Sequence, residues 1–300
     1  MDGLETRELR YFVAVAEELH FGRAAERLTM AQPPLSRAIQ QLERRLGVLL
    51  LERDRRGVAL TPAGETMLTE ARNALDAVDA AVRRTRRAAA AQPALVLTTK
   101  AGASHELLKQ LLDAYAARPG AVDIDVLLCE IGEQGQFLRD GRADVAIMHA
   151  PFDVMTGLDS AEILTEGQVA IVPAAHPLAR RSSLTMAEVS DVPDLPIARW
   201  PRHDYTYPPG PGPEVRSQSQ LAQLVALGRT LLVIPASSRA WQWPEHVAVP
   251  VLDAPLATTL LAWPAGTRSE TLAGLVETAQ QLNLGGAGGP VAIADHEFAG

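Results

Sequence analysis

The stretch that decides the fold is Phe21-Gly22-Arg23-Ala24-Ala25-Glu26-Arg27-Leu28, followed after a short gap by Ala31-Gln32-Pro33-Pro34-Leu35-Ser36-Arg37-Ala38-Ile39. The first run places its small apolar residues on one side of a short helix. Residues 29–31 predict a tight turn. The two prolines then lie in the first turn of the next helix, where N–H groups lack partners in any case. The two runs predict two helices joined by a tight turn.

The segments around these helices complete a small domain. Arg7–Glu18 has apolar residues at helical spacing and predicts a preceding amphipathic helix. The helix that begins near Gln32 should end at Gly47, a typical C-terminal glycine. Residues 49–51 and 58–60 predict two short strands with a charged turn between them. Three helices followed by a basic β-hairpin indicate a winged helix-turn-helix.

Charge is distributed unevenly along the chain, which has a net charge of −8. Residues 20–60 contain eight arginines against four acidic residues, whereas residues 92–300 contain 13 basic and 23 acidic residues. A basic segment on an acidic body indicates a module that faces nucleic acid, joined to a part with another task. An accidental scatter of solvated charges is the alternative, and composition alone leaves the two about even.

Thr61 and Pro62 open a long helix, the first as a cap and the second at the first helical position. Its apolar residues recur at alternating spacings of three and four, as expected for a coiled coil. They are Leu68, Ala71, Leu75, Val78, Val82 and Thr85. We therefore expect a homodimer through this helix. The alternative is an amphipathic helix that lies on its own domain.

The remainder of the chain alternates predicted strands with predicted helices. This order predicts a mostly parallel sheet covered on both faces. Ser104 is expected to cap one helix, and Thr267 with Glu270 matches a capping box at the last helix. Cys129 is the only cysteine, which excludes intrachain disulfides and cysteine clusters that bind metal. No signal peptide or membrane-spanning run is present, so the chain is expected in the cytoplasm, without membrane contact.

The quoted runs closely resemble the helix-turn-helix of LysR-type transcriptional regulators. Leu42–Gly47 and Leu60–Gly64 extend the match over some 60 residues. A weaker resemblance continues to about residue 283, through Gly141–Ile147, His176–Leu178 and Leu224–Gly228. The resemblance implies a sequence-specific DNA-binding transcriptional regulator that responds to a small effector.

It also implies a multi-domain α and α/β fold, with two Rossmann-like subdomains that resemble type 2 periplasmic binding proteins. The expected divisions are a winged helix-turn-helix at 1–60, a linker and dimerisation helix at 61–91, an effector-binding domain at 92–283 and a flexible tail at 284–300. Subdomain I is expected at about 92–150 and 245–283, and subdomain II at about 151–244. The small effector should bind between them.

Three positions depart from the family pattern. Ala31 stands where a serine usually begins the recognition helix, and losing that cap should destabilise the helix by about 1 kcal/mol. Leu51 stands where phenylalanine is common. Pro201–Pro213 is short and rich in proline where relatives usually have a further helix, so pocket residues cannot be transferred across it.

DNA reading requires side chains that reach base edges in the major groove. The resemblance implies that residues of the helix that begins near Gln32, the recognition helix, reach the bases. It also implies that arginines in the turn of the β-hairpin, the wing, contact phosphates or the minor groove. Gln40 is added because it lies one turn beyond Ser36. The expected DNA-binding residues are Arg23, Gln32, Pro33, Pro34, Ser36, Arg37, Gln40, Arg53, Arg55 and Arg56. A solvated rim is the alternative for the wing arginines, above all for Arg56.

The effector site is expected near the loop at 98–104, where a helix N-terminus, hydroxyl groups and a lysine suit an anion. Solvation at the surface is the equal alternative for Lys100. His149 could line the cleft or be a hinge histidine, and two residues at the opposite crossing could form walls. The candidate residues are Thr99, Lys100, Ser104, His149, Arg199 and Trp200.

Rival functions remain at this stage. An enzyme is disfavoured because no second histidine follows His105-Glu106, and neither a nucleophile elbow nor a phosphate-binding glycine loop is present. No catalytic residue, metal or cofactor is expected. A cytoplasmic solute-binding protein, a winged helix used only for protein contacts, and a regulator whose trimmed domain has lost its ligand stay open. Expected partners are double-stranded DNA, a small-molecule effector and a second copy, with a homotetramer expected and RNA polymerase as a candidate.

Overall fold

The computed structural model describes residues 4–54, 57–89, 94–201, 206–239 and 243–282. The chain divides into two compact units. The N-terminal unit is a winged helix-turn-helix followed by a long helix, as the sequence predicts. Its elements are α1 (Thr6–Glu18), α2 (Phe21–Arg27), α3 (Gln32–Leu46), β1 (Leu51–Asp54), β2 (Gly57–Leu60) and α4 (Pro62–Ala88).

The core of this unit lies between the first three helices, where Phe12, Leu35, Ile39 and Leu42 are fully buried. Strands β1 and β2 pair antiparallel, with Leu51 opposite Leu60. Strand β1 begins two residues later than the sequence predicts. The two predicted helix boundaries are confirmed, since α3 begins with its prolines in the first turn and ends at Gly47 in the left-handed conformation.

Helix α4 begins as the sequence predicts, because the Thr61 hydroxyl accepts a hydrogen bond from the Gly64 N–H at 3.0 Å. The same hydroxyl donates to the Leu49 carbonyl at 2.8 Å and so ties the helix start to the chain before β1. A Cβ atom on Gly64 would lie 2.0 Å from the Leu50 carbonyl oxygen. This close approach requires glycine.

The apolar stripe of α4 divides into two halves. Ala71 is buried, and Leu68 and Leu75 pack against the core of the winged domain. In the second half, Val78 is 36% exposed and Val82 is 45% exposed. The first half therefore lies on its own domain, which was the alternative interpretation, while the second half leaves apolar side chains in solvent.

The C-terminal unit contains two sheets with flanking helices. In chain order, its elements begin with β3 (Ala94–Lys100), α5 (His105–Ala116), β4 (Asp123–Cys129), α6 (Gln134–Arg139), β5 (Val145–Ala150) and β6 (Leu158–Glu166). They continue with β7 (Gln168–Pro173), α7 (Met186–Ser190), α8 (Gln218–Ala226), β8 (Leu232–Pro235), β9 (His246–Val251), β10 (Ala257–Pro264) and α9 (Glu270–Gln281).

The two sheets define two lobes within this unit. The first lobe (residues 94–166 and 252–282) holds a five-stranded sheet in the order β4-β3-β5-β10-β6. The second lobe (residues 168–251) holds a three-stranded sheet in the order β8-β7-β9. Helices α5 and α9 cover one face of the larger sheet around Leu97 and Ile147, and α6 covers the other through Phe137 and Leu138. The expected two-sided cover is therefore confirmed.

Strand direction and pairing correct two expectations. Strands β4, β3 and β5 pair in parallel, whereas β10 pairs antiparallel with both β5 and β6. The three strands of the second lobe's sheet pair antiparallel. The crossings expected near residues 150 and 245 lie instead at about 167 and 252. Strand β6 pairs with β10 in the first lobe, and β9 pairs with β7 in the second, because each completes a backbone ladder there.

Neither of the two predicted cap residues in this unit forms a side-chain cap hydrogen bond. Ser104 occupies the N-cap position of α5, but its side chain makes no cap hydrogen bond. Helix α9 is capped by Ser269, whose hydroxyl accepts from the Leu272 N–H, whereas the Thr267 hydroxyl donates to the Pro264 carbonyl. The described residues 206–213 of the proline-rich segment contain no helix. The expected tail at 284–300 lies outside the described residues.

Candidate nucleic-acid interface and interlobe cleft

Helix α3 presents the predicted reading residues on one exposed side. Gln32, Pro33, Pro34, Arg37 and Gln40 are exposed, and Ser36 is half-buried. The opposite side of the helix is buried in the core, because its apolar residues recur at helical spacing. The structure therefore brings these six positions together on a helix whose other face anchors it.

Arg37 is the central cation of this surface. Its Nε donates to the Pro33 carbonyl at 3.4 Å, one turn earlier in the same helix. Arg44, which is not among the DNA-binding residues predicted from the sequence, lies four residues beyond Gln40 and is also exposed. Within the described part of the chain, neither arginine forms an ion pair. Both guanidinium groups are thus available to a polyanion.

Arg23 has a structural contact in addition to its predicted role. Its Nε lies 3.3 Å from a carboxylate oxygen of Glu18, and its Nη2 donates to the Glu18 backbone carbonyl. The side chain therefore closes the end of α1. It remains largely exposed, so the predicted contact with DNA stays a prediction.

The wing is fastened to α3 through Arg53. The guanidinium carbon of Arg53 lies 4.4 Å from the centre of the Phe21 ring, a cation–π distance. Its Nη1 lies 3.3 Å from Ser36 Oγ, and its Nη2 lies 3.8 Å from a carboxylate oxygen of Glu43. Arg53 is thus held against the reading helix rather than extended into solvent. The predicted residues Arg55 and Arg56 lie outside the described residues.

Glu43 supports the same junction and was missed by sequence reasoning. Its carboxylate is buried and accepts the backbone N–H groups of Leu50 at 2.9 Å and Leu51 at 3.1 Å. These bonds hold the start of the wing against α3. No local pattern in the sequence distinguishes this acid from a solvated one.

A cavity of about 300 Å³ lies between the two lobes of the C-terminal unit. The first lobe contributes Lys100, Ile131, His149, Phe152 and Asp153, and the second contributes Trp200, Gln218, Leu232, Ile234 and Ser238, among others. Three of the six predicted effector residues, Lys100, His149 and Trp200, therefore line one cleft. Thr99, Ser104 and Arg199 are not part of its lining.

Lys100 is buried, which excludes the alternative in which it is solvated at the surface. Its ammonium group lies 2.8 Å and 2.9 Å from the two carboxylate oxygens of Asp153. The two side chains are only 11% and 7% exposed. The pair forms because β3 and the turn after β5 end side by side in the parallel sheet. The positive charge that suggested an anion site is therefore neutralised by a neighbour.

His149 lines the cleft and contacts Ser104, which is not part of the lining. Ser104 Oγ lies 3.0 Å from His149 Nε2, which is why Ser104 does not cap α5. Burial lowers the pKa of His149 to about 4; the Lys100 charge adds to the effect, and the Asp153 charge opposes it. The imidazole is therefore neutral near pH 7. Thr99 is buried beside them, and its Oγ1 has no hydrogen-bond partner among the described residues.

Arg199 is held in the fold of the second lobe. Its guanidinium donates to the carbonyl oxygens of Gly212 at 2.6 Å and Pro208 at 3.1 Å, and it pairs with Glu214 at 3.1 Å. It borders a separate hollow of about 360 Å³ whose lining includes five prolines. The prediction that Arg199 lines the interlobe cleft is therefore wrong, because its side chain organises the proline-rich segment instead.

Two further features bear on function. Within the described ranges, no group of three or more His, Cys, Asp or Glu residues is arranged to hold a metal ion. In the same ranges, no helix has the length and apolar character to cross a membrane.

Comparisons with known proteins agree with this architecture. A family model described as a bacterial regulatory helix-turn-helix protein, lysR family, matches residues 6–65, and the LysR substrate binding domain matches residues 88–283. The chain is 31% identical to the Hca operon transcriptional activator HcaR of Escherichia coli over 296 residues, which is 93% of this chain and 98% of HcaR. It is 30% identical to the regulator BenM of Acinetobacter baylyi over 295 residues, 93% of this chain and 96% of BenM.

Solved structures extend the similarity to the whole architecture. Full-length CbnR in complex with its target DNA is 25% identical and aligns with a TM-score of 0.56, covering 92% of this chain and 99% of CbnR. Full-length BenM is 29% identical and aligns with a TM-score of 0.51, covering 93% of this chain and 97% of BenM. The chain belongs to the LysR family of DNA-binding transcriptional regulators, with an N-terminal helix-turn-helix and a C-terminal effector-binding domain.

Proposed function

We propose that this regulator reads its operator with the exposed side of α3 and acts in the cytoplasm, where its DNA target lies. The observation that supports this most strongly is that Gln32, Arg37 and Gln40 are exposed on one side of α3. The other side of this helix packs in the core, and the wing contacts it as well. Glutamine suits adenine, and arginine suits guanine, in the major groove. Arg44 and the wing would contact phosphates, which position the protein without specifying sequence.

The proposed domain roles follow the same division. Residues 1–60 bind DNA, residues 61–91 link and dimerise, and the following domain binds the effector. The second half of α4 would form the dimer contact, because Val78 and Val82 are exposed there. A dimer would place two reading helices on two half-sites of the operator.

We propose that the interlobe cleft binds a small effector without chemical turnover. Its volume of about 300 Å³ is at the lower end of the range for small-molecule sites, which runs from about 300 to 1,000 Å³. This volume supports a cleft that still accepts a ligand despite the short proline-rich segment. HcaR and BenM are transcriptional regulators by name, which supports binding rather than catalysis.

The test selects preferred sequences from a random DNA library with the full-length protein and measures affinity at two salt concentrations. Arg37→Ala should lose about tenfold or more on the selected site and relax the preference at one position, as expected for a base contact. Arg44→Ala should weaken binding to all sequences alike and reduce the salt dependence by about one phosphate contact.

Arg45→Ala is the matched control, because Arg45 lies on the same helix but points its guanidinium at Glu8, with contacts of 2.9 Å and 3.1 Å. Folded Arg45→Ala protein should retain the sequence preference of the wild type. If no sequence is enriched from the library, or if Arg37→Ala and Arg45→Ala behave alike, the proposed reading surface is wrong.

A further inference from the structure

We propose that the interlobe cleft selects an uncharged ligand with an apolar body and a hydrogen-bond donor, such as a primary amide or an alcohol, in preference to a carboxylate. This inference rests on the proposed role of the cleft as the effector site. It follows from the Lys100–Asp153 ion pair, the unpartnered amide oxygen of Gln218 and the apolar walls between them.

The ion pair cannot readily open to admit a carboxylate. Asp153 accepts the Lys100 ammonium through both oxygens and also accepts the His149 backbone N–H at 2.8 Å. The Asp153 backbone N–H in turn donates to the His149 carbonyl at 2.9 Å. The aspartate is therefore fixed by side chain and backbone together. A ligand carboxylate that approached Lys100 would lie beside this buried negative charge, which is unfavourable in a site with little water.

Beside this ion pair, His149 and Gln218 are uncharged polar side chains of the cleft. His149 is neutral near pH 7, and its Nδ1 has no hydrogen-bond partner among the described residues. Across the cleft, Gln218 stands at the first position of α8, and its buried Oε1 has no hydrogen-bond partner in the described structure either. A carbonyl oxygen can only accept, so an N–H or O–H group on a ligand would satisfy it. Leaving it unmatched in a closed site is unfavourable.

The rest of the lining is apolar. Ile131 and Phe152 from the first lobe face the same space as Trp200 and Ile234 from the second. Such walls gain stability by burying a ring or a short aliphatic chain. The cleft therefore combines apolar contact on two sides with an unpartnered acceptor, the Gln218 amide oxygen.

The experiment compares two matched pairs of compounds on the full-length protein by calorimetry and thermal melting: phenylacetamide with phenylacetate, and hexanamide with hexanoate. Each pair differs in charge and donor capacity but little in size. We expect each amide to bind at least about tenfold more tightly than its acid, because the acid meets Asp153. Only the compounds that bind should raise the melting temperature.

Two variants test the cause. Asp153→Asn leaves Lys100 unpaired, so the preference should reverse in favour of the acids. Gln218→Leu removes the acceptor in the other lobe, so it should weaken binding of the amides several-fold and leave the affinity for the acids unchanged. This second variant keeps the test valid if Asp153→Asn does not fold. Tighter binding of the acids to the wild type, no binding by any of the four compounds, or no effect of Gln218→Leu would overturn the inference.

Operator binding, measured on the same preparations, distinguishes a failure of the ligand class from a failure of the proposed function. If selective DNA binding is present but the amide preference is absent, the ligand class is wrong and the proposed reading of DNA by α3 stands. If selective DNA binding itself is absent, the proposed function fails first.

Discussion

The buried carboxylate of Glu43 on the reading helix accepts the backbone N–H of Leu50 at 2.9 Å, and so fixes where the wing begins. The same oxygen accepts the Leu51 N–H at 3.1 Å. One side chain of α3 thus sets the position of β1, and through it the position of Arg53 beside Ser36. The geometry of helix and wing is coupled at this residue.

Glu43→Ala should lower the free energy of unfolding of the winged domain by about 2 kcal/mol, because two buried N–H groups lose a charged acceptor. Glu43→Gln should lose less than half as much, since an amide oxygen still accepts. Urea denaturation followed by circular dichroism measures both. DNA affinity should fall with Glu43→Ala under conditions where the variant is folded. Equal losses for the two variants would contradict this account, because glutamine keeps both the size of the side chain and an acceptor oxygen.

The missing serine at the start of α3 should have little consequence, contrary to the expected loss of about 1 kcal/mol. An N-cap hydroxyl accepts from the N–H of the second or third helical residue. In this helix those residues are Pro33 and Pro34, which have no N–H. The helix therefore has no N–H group at the second or third position that a serine at residue 31 could cap.

A double-mutant cycle tests this explanation. Ala31→Ser should change the free energy of unfolding by less than about 0.5 kcal/mol in the wild type, but should add about 1 kcal/mol in a Pro34→Ala background, where the third N–H is restored. Thermal or urea unfolding of the four proteins measures the difference. The same gain in both backgrounds would contradict the explanation.

Self-association should depend on the exposed half of the α4 stripe. Val82→Asp should raise the dimer dissociation constant at least about tenfold, because each chain would lose the burial of a valine and gain a charge at the contact. Asn73→Asp is the matched control: it adds the same charge nine residues earlier, on the opposite side of the helix. Sedimentation equilibrium distinguishes them. If both variants remain dimeric at wild-type concentrations, the contact lies elsewhere.

Acid should destabilise the effector-binding domain through His149. Its pKa in the folded protein is about 4 because it is buried, against an ordinary value of 6.5. The unfolded chain therefore takes up a proton between about pH 6.5 and 4 that the folded chain does not. The contribution of His149 to the free energy of unfolding is therefore fully present above pH 6.5 and is lost as the pH falls through this window.

The variant His149→Gln isolates this contribution, because the other histidines are unchanged. Between pH 7.5 and 4.5, the wild type should lose about 2 kcal/mol more of its free energy of unfolding than the variant does. Urea titrations at several pH values measure the two slopes. Parallel pH dependences would show that the His149 environment does not exclude the proton.

The sequence by itself determined the winged helix-turn-helix and the start of the linker helix. Prolines after Ala31, the glycine at 47 and the threonine at 61 act on backbone groups within a few residues. Their effect does not depend on the rest of the fold, so a local pattern predicts it correctly. The exposed side of α3 follows for the same reason, since helical periodicity alone decides which residues face the core.

Tertiary structure alone decided the chemistry of the cleft. Lys100 meets Asp153 across 53 residues, and Arg199 turns to the carbonyls of the proline-rich segment rather than to the cleft. Likewise, β6 belongs to the first lobe because its backbone pairs with β10, about 100 residues later. Such contacts depend on how separate strands and turns assemble. The charge of a buried site is therefore the sum of neighbours that no local stretch of sequence contains.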